Sequence, residues 1–69
     1  KLSFNEQREL AQLPQKIEVL EANIALIQEK MADPSFYQQE TAAISLENQQ
    51  LAKNEEELAK LYARWEALE

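Results

Sequence analysis

The side chains able to do chemistry in this chain are carboxylates, cations and amides, because histidine and cysteine are both absent. That removes the commonest general base, the thiol nucleophile and the usual ligands of a zinc site. Paired carboxylates remain, chiefly Glu55-Glu56-Glu57. On a regular helix they have no pocket to perturb their titration, so acid–base catalysis is the weakest reading and the chain is not expected to be an enzyme. The cations are more informative. Lys53 and Lys60 are one heptad apart, Arg64 follows one turn later, and Arg8 and Lys16 lie in the opposite end of the chain. If two helices bring these five together, they offer positive charge at spacings of one or two turns to a phosphate backbone. Against this stands a net charge of −6, and a solvated surface of ordinary Glu–Lys pairs is the plain alternative.

The elements that must position these cations are legible from apolar spacing. Leu10, Leu13, Ile17, Leu20, Ile24, Ile27 and Met31 follow one another at steps of three and four. This is an a/d heptad seam, with Leu10, Ile17, Ile24 and Met31 at a and Leu13, Leu20 and Ile27 at d. It is too narrow for a globular core and the right width for one partner helix. The return seam is Ile44, Leu51, Leu58 and Trp65 at one core position, with Leu61 and Leu68 at the other. Glu47 and Asn54 fall on that second position, where apolar residues belong; Leu46 beside it is a candidate to roll inward in place of Glu47.

Ser3 and Glu6 have the form of a capping box, so the first helix is expected over residues 4–32. Pro14 interrupts it at an e position, yet Leu10 and Leu13 stay in phase with Ile17 and Leu20 across it. That continuity predicts a proline-induced bend or a π-bulge rather than a loop. Asp33-Pro34 reads as an N-cap with proline at N1, giving a tip over residues 33–40 with Phe36 and Tyr37 folded over Met31, Ile27 and Ile44. The last helix is expected over 41–69. A tip this short forces antiparallel neighbours, so the fold class is all-α, an antiparallel two-stranded coiled-coil hairpin. Two registers compete. In one, facing residue numbers sum to about 71, so that Leu13 meets Leu58, Phe4 lies under Trp65 and Leu68, Glu9 meets Arg64 and Lys16 meets Glu57. In the other the sum is about 78; Leu13 meets Trp65, and Lys16 comes near Arg64 and Glu21 near Glu55. Complementary charge favours the first.

With 69 residues and no Gly, the chain is one small domain without phosphate-cradling loops. No apolar run is long enough to span a membrane and no secretory leader is present. A start at Lys-Leu-Ser without Met is expected of a piece of a longer, cytoplasmic protein.

The ends of the chain carry a resemblance. Lys1-Leu2-Ser3-Phe4, Gln7-Arg8-Glu9-Leu10 and Leu13-Pro14 resemble the opening of the C-terminal domain of Uup-type ABC-F ATPases. Ala32-Asp33-Pro34 with Phe36-Tyr37 resembles its tip, and Tyr62-Ala63-Arg64-Trp65-Glu66 with Leu68-Glu69 its closing segment. The resemblance spans essentially the whole chain. It implies the non-catalytic tail of a bacterial protein with two ATP-binding cassettes, joined through a Lys-rich linker and able to bind DNA weakly and without sequence preference. It implies ATP and Mg as cofactors of the parent and none of this fragment. Other partners it suggests are the parent's own ATPase domains and the ribosome; a tRNA-gripping arm is a further reading of such hairpins. The fragment is expected to be monomeric. Glu47 and Asn54 depart from the leucines expected at their positions, which points to a less tightly zipped last helix.

Overall fold

A computed structural model describes all residues, 1–69. It contains α1 (Phe4–Ala32), a 3₁₀ turn (Pro34–Gln38) and α2 (Thr41–Leu68), and no strand. The two helices lie antiparallel in a rod 53 Å long and 16 × 14 Å across. Each boundary has a local cause. The Ser3 hydroxyl accepts the Glu6 amide at 3.1 Å and the Glu6 carboxylate accepts the Ser3 amide at 2.9 Å, closing a capping box at the start of α1. Asp33 serves twice. Its amide donates to the Lys30 carbonyl and ends α1, while its carboxylate accepts both the amide and the hydroxyl of Ser35 at 2.9 Å and opens the tip. Asp33 and Gln39 stay extended at φ −76° and −74°, so the tip turns without any positive-φ residue. That is how a chain lacking glycine makes a hairpin.

Helix α1 runs α-helical on both sides of Pro14 and carries no π turn. The π-bulge alternative is therefore not adopted, and the helix continues unbroken through the position of the lost amide. The seam stays in phase across it: Leu13 is 1% exposed and Ile17, Ile24 and Ile27 are buried, all on one stripe. On α2 only Leu68 is buried; Ile44, Leu51, Leu58, Leu61 and Trp65 are half-buried. Leu10, Leu20 and Met31 are half-buried as well. A single partner helix covers a narrow seam and leaves its edges open.

The charge-favoured register is not the one adopted. The Glu9–Arg64 pair expected of the first register does form, but the other two cross-helix contacts, Lys30 with Glu47 and Tyr62 with Glu21, have facing sums of 77 and 83 and fit the second. At a sum of about 71, Glu21 and Tyr62 would be separated by about 18 Å along the axis, beyond the reach of a bond. Phe4, which was to cover Trp65 and Leu68, is instead 72% exposed, whereas Leu68 is 3% exposed. The physical reason is the size of the terms. A buried leucine contributes about 1.5–3 kcal/mol and an exposed ion pair at most about 1, so the register that sets Leu10 against Leu68 and Leu13 against Trp65 prevails. The like charges it juxtaposes turn away diagonally: Arg64 reaches Glu9 instead of lying against Lys16, and Glu21 accepts from Tyr62.

Two smaller expectations are corrected. Leu46 does not roll inward; it is exposed. Glu47 keeps the seam position half-buried and sends its carboxylate out to Lys30 at 3.5 Å. At the tip, Phe36 is 3% exposed while Tyr37 is exposed, its ring meeting Phe36 edge-on at 5.1 Å. Only Phe36 closes the end of the rod.

Burial ranks the substitutions. Leu13→Ala and Ile24→Ala should each lower stability by about 2–4 kcal/mol, and Phe4→Ala should stay within about 0.5, as read from urea denaturation. Asn54, half-buried on the seam without a side-chain hydrogen bond, should raise the melting temperature when replaced by leucine.

Candidate nucleic-acid interface

The heptad pattern and the antiparallel register together divide the rod into two long faces. Residues at g and c of both helices share one; those at e and b share the other. Two cross-helix bonds mark them. On the first, Arg64 donates from Nε and Nη2 to the two carboxylate oxygens of Glu9 at 2.6 and 2.9 Å. On the second, the Tyr62 hydroxyl donates to Glu21 at 2.7 Å.

The charges are sorted between these faces. Lys16, Lys30, Lys53, Lys60 and Arg64, five of the seven basic residues, occupy g and c positions. Only Glu9 and Glu57 of the thirteen acidic residues join them. Glu18, Glu21, Glu55, Glu66 and Glu69 fall on the other face, and Glu29 and Glu56 on the outer backs of the helices. A chain of net charge −6 thus carries one locally positive side, because opposite charges are segregated rather than mixed.

The residues singled out by sequence are not equivalent in place. Lys16 and Lys60 line one groove between the helices, together with Glu57 and Leu61. Lys53 lies one heptad from Lys60, about 10 Å along the axis, and makes no ion pair. Lys60 is paired along its own helix with Glu56 at 3.5 Å, both ends well exposed, a contact too solvated to neutralise it. Arg64 lies on the same face, but its guanidinium is held by Glu9 in a two-pronged fork. Arg8 is placed elsewhere: it falls at an f position, and its guanidinium stands 5.8 Å from the Phe4 ring. Lys30 takes its place in the set. Its g position was readable from the sequence, two heptads from Lys16, but its nearness to the acidic tip masked it. In the structure it leans on Glu47.

Hydrogen bonding tunes the exposed carboxylates. The Ser3 amide lowers the Glu6 pKa below its ordinary value. The Arg64 guanidinium does the same to Glu9, and the Ser35 amide to Asp33. Glu9 in turn raises the Arg64 pKa. The Tyr62 hydroxyl is pushed up by its bond to the Glu21 carboxylate. Each of these groups is solvated, so they refine the surface of the rod rather than hold it together.

Comparison with known proteins agrees with this geometry. The family model described as the ABC transporter C-terminal domain matches residues 1–69. The ATP-binding protein Uup of Haemophilus influenzae is 48% identical over 69 residues, which are all of this chain and 11% of that protein. The ATP-binding protein Uup of Escherichia coli K12 is 44% identical over the same span, again 11% of its length. A solved structure described as "The C-terminal domain of the Uup protein is a DNA-binding coiled coil motif" superposes with a TM-score of 0.86 at 42% identity, covering 97% of this chain and 79% of that one.

The depressed carboxyl pKa values set a sign. Glu6, Glu9 and Asp33 titrate lower in the folded state than in the unfolded chain. Their stabilisation is present above the unfolded carboxylate pKa and is lost as pH falls through the folded one. Thermal melts taken from neutral pH downward should therefore show an acid-side fall, and Glu9→Gln should make that fall shallower.

Proposed function

The chain belongs to the ABC transporter C-terminal domain family, and from that premise we propose that it is a DNA-binding coiled-coil tail of a bacterial ATP-binding protein. The observation that carries the reading is the segregated basic face: Lys16, Lys53 and Lys60 stand clear of any cross-helix ion pair, with Lys30 and Arg64 on the same side. The solved relative described as DNA-binding supports it.

The mechanism is backbone-directed. Lysines on an extended rod meet phosphates as point charges, and the binding free energy comes chiefly from the counterions they release. Duplex DNA is the fitting substrate, since its phosphates form a continuous charged ridge for a 53 Å face. The amides near the cations, Gln12 and Gln15 beside Lys16 in the groove and Asn23 and Gln50 at g positions, are scattered along both helices rather than set on one element that could enter a groove and read base edges. Binding is accordingly indifferent to sequence and weak, about 10⁻⁴–10⁻⁶ M at physiological salt. The acidic opposite face repels a second duplex, so one side of the rod engages.

The fragment holds no Gly-rich phosphate loop, so ATP binding, with its Mg, belongs to the cassettes of the longer parent. In that setting the hairpin is a cytoplasmic appendage that brings DNA to an ATPase. Within the chain itself, no helix is long and apolar enough to cross a membrane. A second reading has its own support. Val19 and Leu26 sit on the basic face 53% and 59% exposed, which suits a protein contact with the ATPase body or the ribosome.

Titration of a short duplex, followed by amide chemical shifts at low salt, tests the proposal. Shifts should gather around Lys16, Lys53 and Lys60 and fade as salt rises. Lys53→Ala with Lys60→Ala should reduce the slope of log affinity against log salt by about 2, and Lys53→Glu with Lys60→Glu should abolish binding. Shifts centred on Phe36 and Tyr37 would mark base stacking at the tip instead. Absence of any shift, with the upstream linker restored, would reject DNA as the partner.

A further inference from the structure

The basic face is not uniformly polar. Between the two helices it holds an open groove of about 680 Å³ floored by Val19, Leu20 and Leu61 and walled by Lys16, Lys60 and Glu57. Leu20 and Leu61 are seam residues left half-buried by the single partner helix, so the floor of the groove is the uncovered edge of the core. The apolar strip continues past it. Leu26 lies one heptad beyond Val19 on α1, and Leu46 occupies the corresponding c position of α2 near the tip; both are more than half exposed. Along the axis these residues span roughly 20 Å, about four turns of a helix, with Val19 and Leu26 on the α1 edge of the face and Leu46 on the α2 edge. Lys16 and Lys60 stand toward one end of that span and Lys30 toward the other, with Lys53 between them on α2.

A duplex uses the cations of this face but has no apolar group for the strip, and phosphates laid over Val19 and Leu26 gain nothing from it. A helix with an apolar stripe and acidic flanks matches both features at once. Its stripe would cover the open edge of the seam, in the manner of the third member of a three-helix bundle, and its carboxylates would meet the lysines on the rims. The stems of Lys16 and Lys60 add apolar wall while their ammonium groups stay solvated. We infer that this groove is a docking site for an acidic amphipathic helix of a protein partner, and that its occupation excludes DNA from the same face.

The docking claim stands apart from the DNA reading, and only the exclusion rests on it. The probe is a synthetic 18-residue helical peptide with leucines on one stripe and glutamates beside them, set against a peptide of identical composition whose leucines are scattered around the helix. Methyl and amide spectra of the 69-residue chain are followed for each. The striped peptide should shift Val19, Leu20, Leu26 and Leu61, and bind at least tenfold more tightly than the scattered one. Val19→Ser with Leu26→Ser should lower its affinity at least tenfold. Both positions are exposed, and circular dichroism checks that the helices persist. Equal binding of the two peptides, shifts centred away from this strip, or no binding would overturn the inference. Addition of the striped peptide to the DNA complex should release the duplex, and simultaneous occupation would overturn the exclusion. If the chain binds no DNA, the peptide titration alone still decides the docking site.

Discussion

The whole molecule depends on one geometric constraint: an apolar stripe at a/d spacing, about two residues wide, on a chain too short to supply any other cover. Such a stripe is satisfied by one helix, and the nearest helix is the chain's own return. Once α2 folds back on α1, the rod shape, the exposed backs and the two long faces follow without further instruction. So does the shortage of deep core. Six of 69 residues are buried, and five of them, Leu13, Ile17, Ile24, Ile27 and Leu68, lie on the seam, with Phe36 closing its end.

A core of that width makes the choice of register a contest between small terms, and the outcome shapes the surface. Choosing the apolar layers of Leu10 with Leu68 and Leu13 with Trp65 set like charges near one another. The structure relieves this through the length of its side chains. Arg64 and Glu9 bond diagonally across the first face, and Tyr62 and Glu21 across the second. The same register brings Lys30 over Glu47, which turns an unfavourable seam carboxylate into a partly solvated ion pair. The net effect is to leave Lys16 and Lys53 without anionic partners on a common face. A surface suited to phosphate is thus a by-product of apolar burial, combined with the placement of acidic residues at e, b and f.

The segregation also gives an acidic protein one side on which the local charge is positive. Screening limits charges to a range of about 8 Å in physiological salt, and the rod is 14–16 Å thick. The acidic face therefore weakens attraction at the basic face far less than the net charge implies. The apolar strip within the same face has a different origin. Two helices cannot enclose both edges of a heptad seam, so Leu20 and Leu61 stay open, and Val19 extends that opening outward. The strip and the lysines thus differ in the chemistry they offer from one surface, apolar in one case and cationic in the other.

Much of this was readable from residue order alone. The steps of three and four from Leu10 to Met31, and the heptad spacing of Ile44, Leu51, Leu58 and Trp65 with Leu61 and Leu68, determined two helices and their antiparallel return, because period and loop length admit little else. The capping box at Ser3 and Glu6 and the Asp33-Pro34 turn are contacts between residues two or three positions apart, so local chemistry specified them completely. Across the seam local chemistry stops deciding. Two registers one heptad apart satisfy the same periodicity, and pairing charges by position favoured the one that the packing of Leu68 and Trp65 rejects. Arg8 could be grouped with the other cations only until its heptad position was placed on a real face, where it turned out to lie on the back of α1 beside Phe4. Lys30 showed the reverse, a g-position cation hidden by the acidic tip that follows it. The sequence by itself determined the helices, the caps and the stripe, since those depend on spacing along one chain. The tertiary structure alone decided register, the cross-helix partners that leave some lysines unpaired and the open groove, since each depends on which residues of one helix lie opposite which residues of the other.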